Sequence, residues 1–158
     1  MSLNEEQLVE LVIEPVLKHL GLDSPAATEL VLNTAKAESE IEYLRQLGGG
    51  PALGIYQMEP ATHDDLWENF LRFPRWKDLA RRVQSLAINK GTPDSQQLIG
   101  NLYYATAMCR VHYYRVPDAL PAAGDLAAQA AYWKRHYNTH LGRGTEEHFL
   151  GHARTIIA

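Results

Sequence analysis

The sequence predicts a single all-α domain, and three observations predict it. Apolar residues recur at helical spacing along nearly the whole chain. Capping and breaking residues fall where helices of ordinary length should start and stop. No stretch alternates apolar and polar residues long enough to make a substantial strand. A chain of 158 residues suits one domain, residues 1–158, with a real hydrophobic core.

Ser2, with Glu5 three residues on, forms a capping-box pattern, and Leu8, Leu11, Val12 and Val16 continue as an apolar stripe until Gly21. Ser24 before Pro25 pairs a capping side chain with proline at the first helical position, so a second helix runs from Pro25 into the early forties. Gly48-Gly49-Gly50-Pro51 breaks the pattern, and a short β-hairpin over residues 48–58 is the one strand-like element the spacing allows. Thr62, Asp64 and Asp65 mark the next N-terminus, ahead of Leu66, Trp67, Phe70 and Leu71. Pro74 interrupts, and helical spacing resumes from Trp76 to Ile88. A turn at Asn89–Pro93 precedes a long helix over Asp94–Arg115, stopped by Pro117 and Pro121. Another helix spans Asp125–Tyr137, Gly142 and Gly144 end it, and Thr145 caps a last one carrying Phe149 and Ile156.

Composition narrows the function classes. Hydrophobic residues at 46% and charged residues at 22% are the balance of an ordinary soluble protein. A net charge of −4 lacks the basic footprint of a nucleic-acid binder and offers no electrostatic attraction to an anionic cell wall. Cys109 has no partner for an internal disulfide, and within its apolar helix it reads as a small buried residue. The acidic start, MSLNEEQLVELVIEP, is not a secretory signal, and no run approaches the ~18 apolar residues of a membrane span. The chain is expected to be made soluble in a cytoplasm, with no membrane insertion.

The second helix carries the first chemical signal. Ala27, Leu30, Val31 and Thr34 define its core-facing stripe, and Glu38 lies on that stripe, seven residues after Val31 and four after Thr34. Burial disfavours the charged form of a carboxylate and raises its pKa, which is what a general acid near neutral pH requires. Taken alone, Glu38 reads first as an acid at a frayed helix end, or as one paired with an arginine such as Arg45, and only second as a functional acid. Glu40 falls on a different face with Glu29, Asn33 and Lys36 and is expected to be solvated.

Ala37-Glu38-Ser39, a glycine-bearing loop, and then Gly54-Ile55-Tyr56-Gln57-Met58-Glu59-Pro60-Ala61-Thr62 resemble the signature of lytic transglycosylases and goose-type lysozymes. Asn101-Leu102-Tyr103-Tyr104-Ala105 resembles that family's third helix motif, and Tyr137-Asn138 its Tyr-Asn element, in the family's order. The resemblance implies a helical lysozyme-like domain, with Glu38 as catalytic acid and peptidoglycan glycan strands as substrate. It implies substrate-binding places for Ser39, Gly54, Tyr56, Gln57, Met58, Asn101, Tyr137 and Asn138. It requires no cofactor and no metal. Residues 132–145 depart from the family's usual run, and Tyr132 competes with Tyr137 for the tyrosine's place. The closest flavour is that of bacteriophage and prophage members, either as endolysins released through a holin or as virion-associated lysins that touch other virion proteins. Physical chemistry agrees with the assignment: Gly54 permits close backbone approach to a sugar, and Gln57 offers both a donor and an acceptor.

Glycoside hydrolysis ordinarily takes two carboxylates. Glu42, four residues past Glu38, is one candidate for the second; Asp64 and Asp65 are others, although the helix macrodipole also accounts for them. The resemblance implies a one-acid route that closes a 1,6-anhydro ring on muramic acid, favoured over hydrolytic muramidase. A catalytically inactive wall-binding or structural module, and a chitinase-like activity, remain as alternatives. His136 with His140, and His148 with His152, have the spacing of zinc chelates but read as surface or groove histidines. Arg72, Arg75, Lys77, Arg81 and Arg82 read as a solvated basic face. Trp133, Tyr137, Tyr103, Tyr104 and Tyr113 are divided between sugar stacking and core filling.

Overall fold

Pro15 sets the form of the first helix. In the computed structural model, which describes residues 1–139 and 142–156, α1 (residues 5–20) is an α-turn at Glu5–Leu8, a π-turn at Val9–Ile13 and an α-segment at Glu14–Leu20. Proline has no N–H for the preceding turn and crowds it. The π-turn absorbs that defect, with the Glu14 N–H reaching back to the Val9 carbonyl. Its wider turn rotates the expected stripe: Ile13, Val16, Leu17 and Leu20 are buried, while Leu11 is 56% exposed. The cap is Asn4, whose Oδ1 accepts from the Gln7 N–H at 3.0 Å, in place of Ser2.

Helix α2 (Pro25–Ser39) starts as predicted, with the Ala27 N–H donating to Ser24 Oγ at 3.0 Å. It is the central helix, packed against α6 (Leu102–Arg115) and α8 (Glu146–His152). Leu30, Val31, Leu32 and Ala35 enter the core. So do Glu29, Asn33 and Thr34, all 0% exposed, which overturns the expected solvated face through Glu29 and Asn33. Residues 153–156 cross that face, and the Asn33 amide bonds both the carbonyl and the N–H of Arg154 at 3.0 Å. Glu40 itself is exposed. The helix ends at Ser39 and does not reach the forties, because Glu40 and Ile41 turn into the left-handed region at φ 56° and 50°.

Helix α3 (residues 60–71) begins at Pro60 and finishes in a π-turn at Trp67–Leu71; a 3-10 turn at Pro74–Trp76 leads into α4 (Lys77–Gln84). The long helix expected over Asp94–Arg115 is two. The short α5 (Gln97–Gly100) stops at Asn101, where the backbone is extended, and α6 starts afresh. Helix α7 (residues 126–138) is capped by Asp125 and ends in a π-turn at Lys134–Asn138, and Thr145 caps α8. The hairpin expected at 48–58 is reduced to isolated bridges from Leu53 to Arg45 and to Met58. Helix makes up 60% of the chain and no sheet forms among the described residues: the fold is all-α.

Candidate active site

The C-terminal turn of α2, the loop that follows it, and the last turn of α7 meet at Glu38. Ser39, next in sequence, is buried and donates its hydroxyl to the Ile55 carbonyl at 2.6 Å, which ties the loop to the helix end. Tyr137 donates its phenol to the Tyr56 carbonyl at 2.6 Å, tying the same loop to α7. Between these two stitches Glu38 is half-buried. Its Oε1 accepts from the Trp133 indole Nε1–H at 3.0 Å, and the Asn138 amide lies close enough to the carboxyl to favour its charged form.

The π-turn explains how one helix supplies both donors. Five residues separate Trp133 from Asn138, which on an α-helix of 3.6 residues per turn would put them about 140° apart. Pairing at i→i+5 over Lys134–Asn138 brings them back toward one side. Lys134 Nζ donates to Asn138 Oδ1 at 2.8 Å and to the Gly142 carbonyl at 3.0 Å. Gly144 lies so close to the Trp133 ring and the Asn138 amide that a Cβ there would collide with the indole.

Burial dominates the electrostatics of Glu38 and pushes its pKa up to about 7; the Trp133 and Asn138 bonds and the Lys134 charge pull against it. Among the described residues, no other carboxylate acts on it. Cys109, Tyr113 and Tyr137 are close enough to feel its charge, and burial holds each of them neutral. Glu42 lies past the helix end and is exposed, so it does not share Glu38's face. Asp64 bonds His63 at 2.9 Å and Asp65 pairs with Arg115 at 2.5 Å.

The remaining expected site residues divide. Tyr137 reaches the site, stacked on Tyr113 with ring centroids 5.3 Å apart, whereas Tyr132 donates to the Asp118 carbonyl at 3.0 Å. Gln57, half-buried at φ 48°, closes its own turn by donating Nε2 to the Gly54 carbonyl at 2.8 Å. Its Oε1 bonds no other described residue. Tyr56 is 2% exposed, with its hydroxyl on Thr106 Oγ1 at 2.8 Å, and Met58 is 3% exposed; both side chains are core, and only the Tyr56 carbonyl serves the site. Gly54 is buried at φ 77° against the Leu98 carbonyl, so its missing Cβ makes room for protein backbone rather than for a sugar. Asn101 caps α6, accepting from the Tyr104 N–H at 3.0 Å and donating to the Leu86 carbonyl at 2.8 Å, and takes no part in the site.

Trp133 and Lys134 are the site residues that the family motifs do not pick out. Their signal is spacing: each stands four residues before a motif residue, Trp133 before Tyr137 and Lys134 before Asn138. From α8, His148 Nε2 donates to the Ala37 carbonyl at 2.7 Å, and His152 lies 3.4 Å from Glu40, so this pair grips the end of α2. The other pair includes His140, outside the described residues. A concavity lined by Thr62, Asp65, His112, Arg115, Val116 and His136 adjoins the site through the His112 ring, edge-on to Tyr137 at 5.0 Å.

Against known proteins, the chain matches no family model, no curated protein and no solved structure.

Proposed function

We propose that this chain is a peptidoglycan-degrading enzyme of the lytic transglycosylase and goose-type lysozyme class, cleaving the MurNAc–GlcNAc β-1,4 bond. One observation carries the reading. Glu38 is half-buried at the junction of the Glu-Ser, Gln57 and Tyr-Asn segments and holds its proton up to about pH 7. A carboxyl with that affinity gives its proton to a glycosidic oxygen and takes one back near neutral pH.

In the first step Glu38 protonates the leaving O4, the C1–O4 bond breaks, and the substrate's acetamido group shields the anomeric cation. The Glu38 carboxylate then accepts the O6 proton of the same muramic acid while O6 bonds to C1. The product is a 1,6-anhydro end, Glu38 regains its proton, and no water is consumed. The absence of a carboxylate among the groups acting on Glu38, and the engagement of Asp64 and Asp65 elsewhere, favour this route over a two-carboxylate muramidase. Gln57 Oε1 is the acceptor for a substrate N–H. No helix among the described residues is long and apolar enough to cross a membrane. Delivery to the wall through a holin, or as part of a phage particle, belongs to the same proposal.

Purified peptidoglycan tests it. Wild type should clear the suspension, Glu38→Gln should lose about 10²–10⁴-fold in rate, and mass spectrometry should show anhydro ends. Undiminished clearing by Glu38→Gln ends the assignment. Reducing ends in place of anhydro ends would make the enzyme a hydrolase, and binding without release would make it an inactive module.

A further inference from the structure

We infer that Lys134 is a positioning residue for Glu38: by holding Asn138 Oδ1 and the Gly142 carbonyl, it fixes the Asn138 amide so that its N–H₂ end, not its oxygen, meets the carboxyl. The inference rests on Glu38 being the working acid.

An amide has two ends of nearly equal size, and nothing in its shape decides which faces a neighbour. Lys134 has only donors, so the end it grips at 2.8 Å must be the oxygen. Nδ2 is then the end left for Glu38, and it lies against Gly144. With Lys134 absent, the amide is free to turn and accept a proton from the neutral carboxyl. The two orientations have opposite effects: the donor end favours the carboxylate that must take the O6 proton, and the acceptor end favours the acid that never gives its proton up. Lys134 also brings a positive charge to a carboxyl whose other titratable neighbours, Cys109 and Tyr113 on α6 and Tyr137 on α7, stay neutral. From α8, His148 bonds the Ala37 carbonyl, one residue before Glu38. The bond to Gly142 extends the device to the next loop, locking residues 142–144 over Trp133 and Asn138.

The test follows the Glu38 carboxyl directly by ¹³C NMR in glutamate-labelled protein, its resonance assigned by its loss in Glu38→Gln. In Lys134→Met the Glu38 midpoint should rise by on the order of one pH unit, and the alkaline limb of peptidoglycan clearing should move with it. Lys134→Arg should restore both. In an Asn138→Ala background, Lys134→Met should move the midpoint less than it does in wild type. An unmoved midpoint in folded Lys134→Met overturns the inference, as does full additivity with Asn138→Ala. If Lys134→Met does not fold, Asn138→Ala alone decides: its midpoint rises, or the inference fails. The NMR titration needs no substrate, so a wild type that clears nothing would sink the proposed function while leaving this test readable.

Discussion

Replacing Glu38 by glutamine should stabilise the fold, and by an amount that depends on pH. In an unfolded chain the carboxyl ionises near 4.5, and in the folded protein near 7. The difference is 7 − 4.5 = 2.5 pH units, and at 1.36 kcal/mol per unit, ionising Glu38 in place costs at most about 3 kcal/mol. The folded state binds this proton more tightly than the unfolded one, so the penalty is absent below pH 4.5. It grows from there to pH 7 and is complete above it. Glutamine keeps an oxygen for the Trp133 and Asn138 donors and never ionises. Urea unfolding of both proteins between pH 4 and pH 8.5 should show equal stability at the acid end. At the alkaline end the variant should lead by about 3 kcal/mol, a Tm gain of about 6–12 °C for a chain of this size. A stability difference that stays constant across that range, or a variant less stable at pH 8, would refute the account of Glu38 as a buried acid.

Three further outcomes follow from the same contacts. Trp133→Phe keeps a ring against Phe149 but removes the indole donor, so the Glu38 midpoint should rise above 7 and clearing should persist to higher pH; a downward or absent shift in the pH–rate profile contradicts the role of that bond. Glu29 is fully buried; burial alone would raise its pKa, but bonds from Gly124, Ile156, Gln129 and Thr155 outweigh it and hold the carboxyl below its ordinary value. Its contribution is therefore present above pH 4.5 and lost as pH falls through the lowered folded value: Glu29→Gln should cost about 2–4 kcal/mol at neutral pH, a gap that narrows in acid denaturation. Gly54→Ala adds a Cβ at a left-handed φ against the Leu98 carbonyl, and thermal melts should show a loss of about 2–4 kcal/mol.

What the sequence discloses here is mostly local. Ser24, Asp125 and Thr145 cap the helices they precede because a capping side chain needs only its own next three residues. Asn101 carries that same local signal, and the apolar run on both sides of it masks the break it makes. The π-turns are invisible in the pattern, since a widened turn needs no particular residue; Pro15 is the one hint, and α7 has none. The stop at Ser39 is equally hidden, because Glu40 takes a left-handed conformation that would ordinarily be given to glycine or asparagine. The face through Glu29 and Asn33 is polar in sequence yet closed in space, because the segment that covers it lies far along the chain. Glu38 is legible because it combines helical position with a motif; Lys134, bonded to the Asn138 side chain, leaves only the four-residue spacing as a signal.

The Glu29 contacts also dictate the order in which the molecule can be made. Its donors come from positions 95, 100, 126 and 127 residues downstream. Until those have left the ribosome, α2 carries a bare charge on a face that α7 and residues 153–156 must later cover, and burying it without them is opposed by desolvation. The helix bearing Glu38 is thus among the first synthesised and among the last secured, and a nascent chain holds no assembled acid. Peptide tags or truncations near residues 154–156 would be felt some 120 residues back, at the heart of the fold.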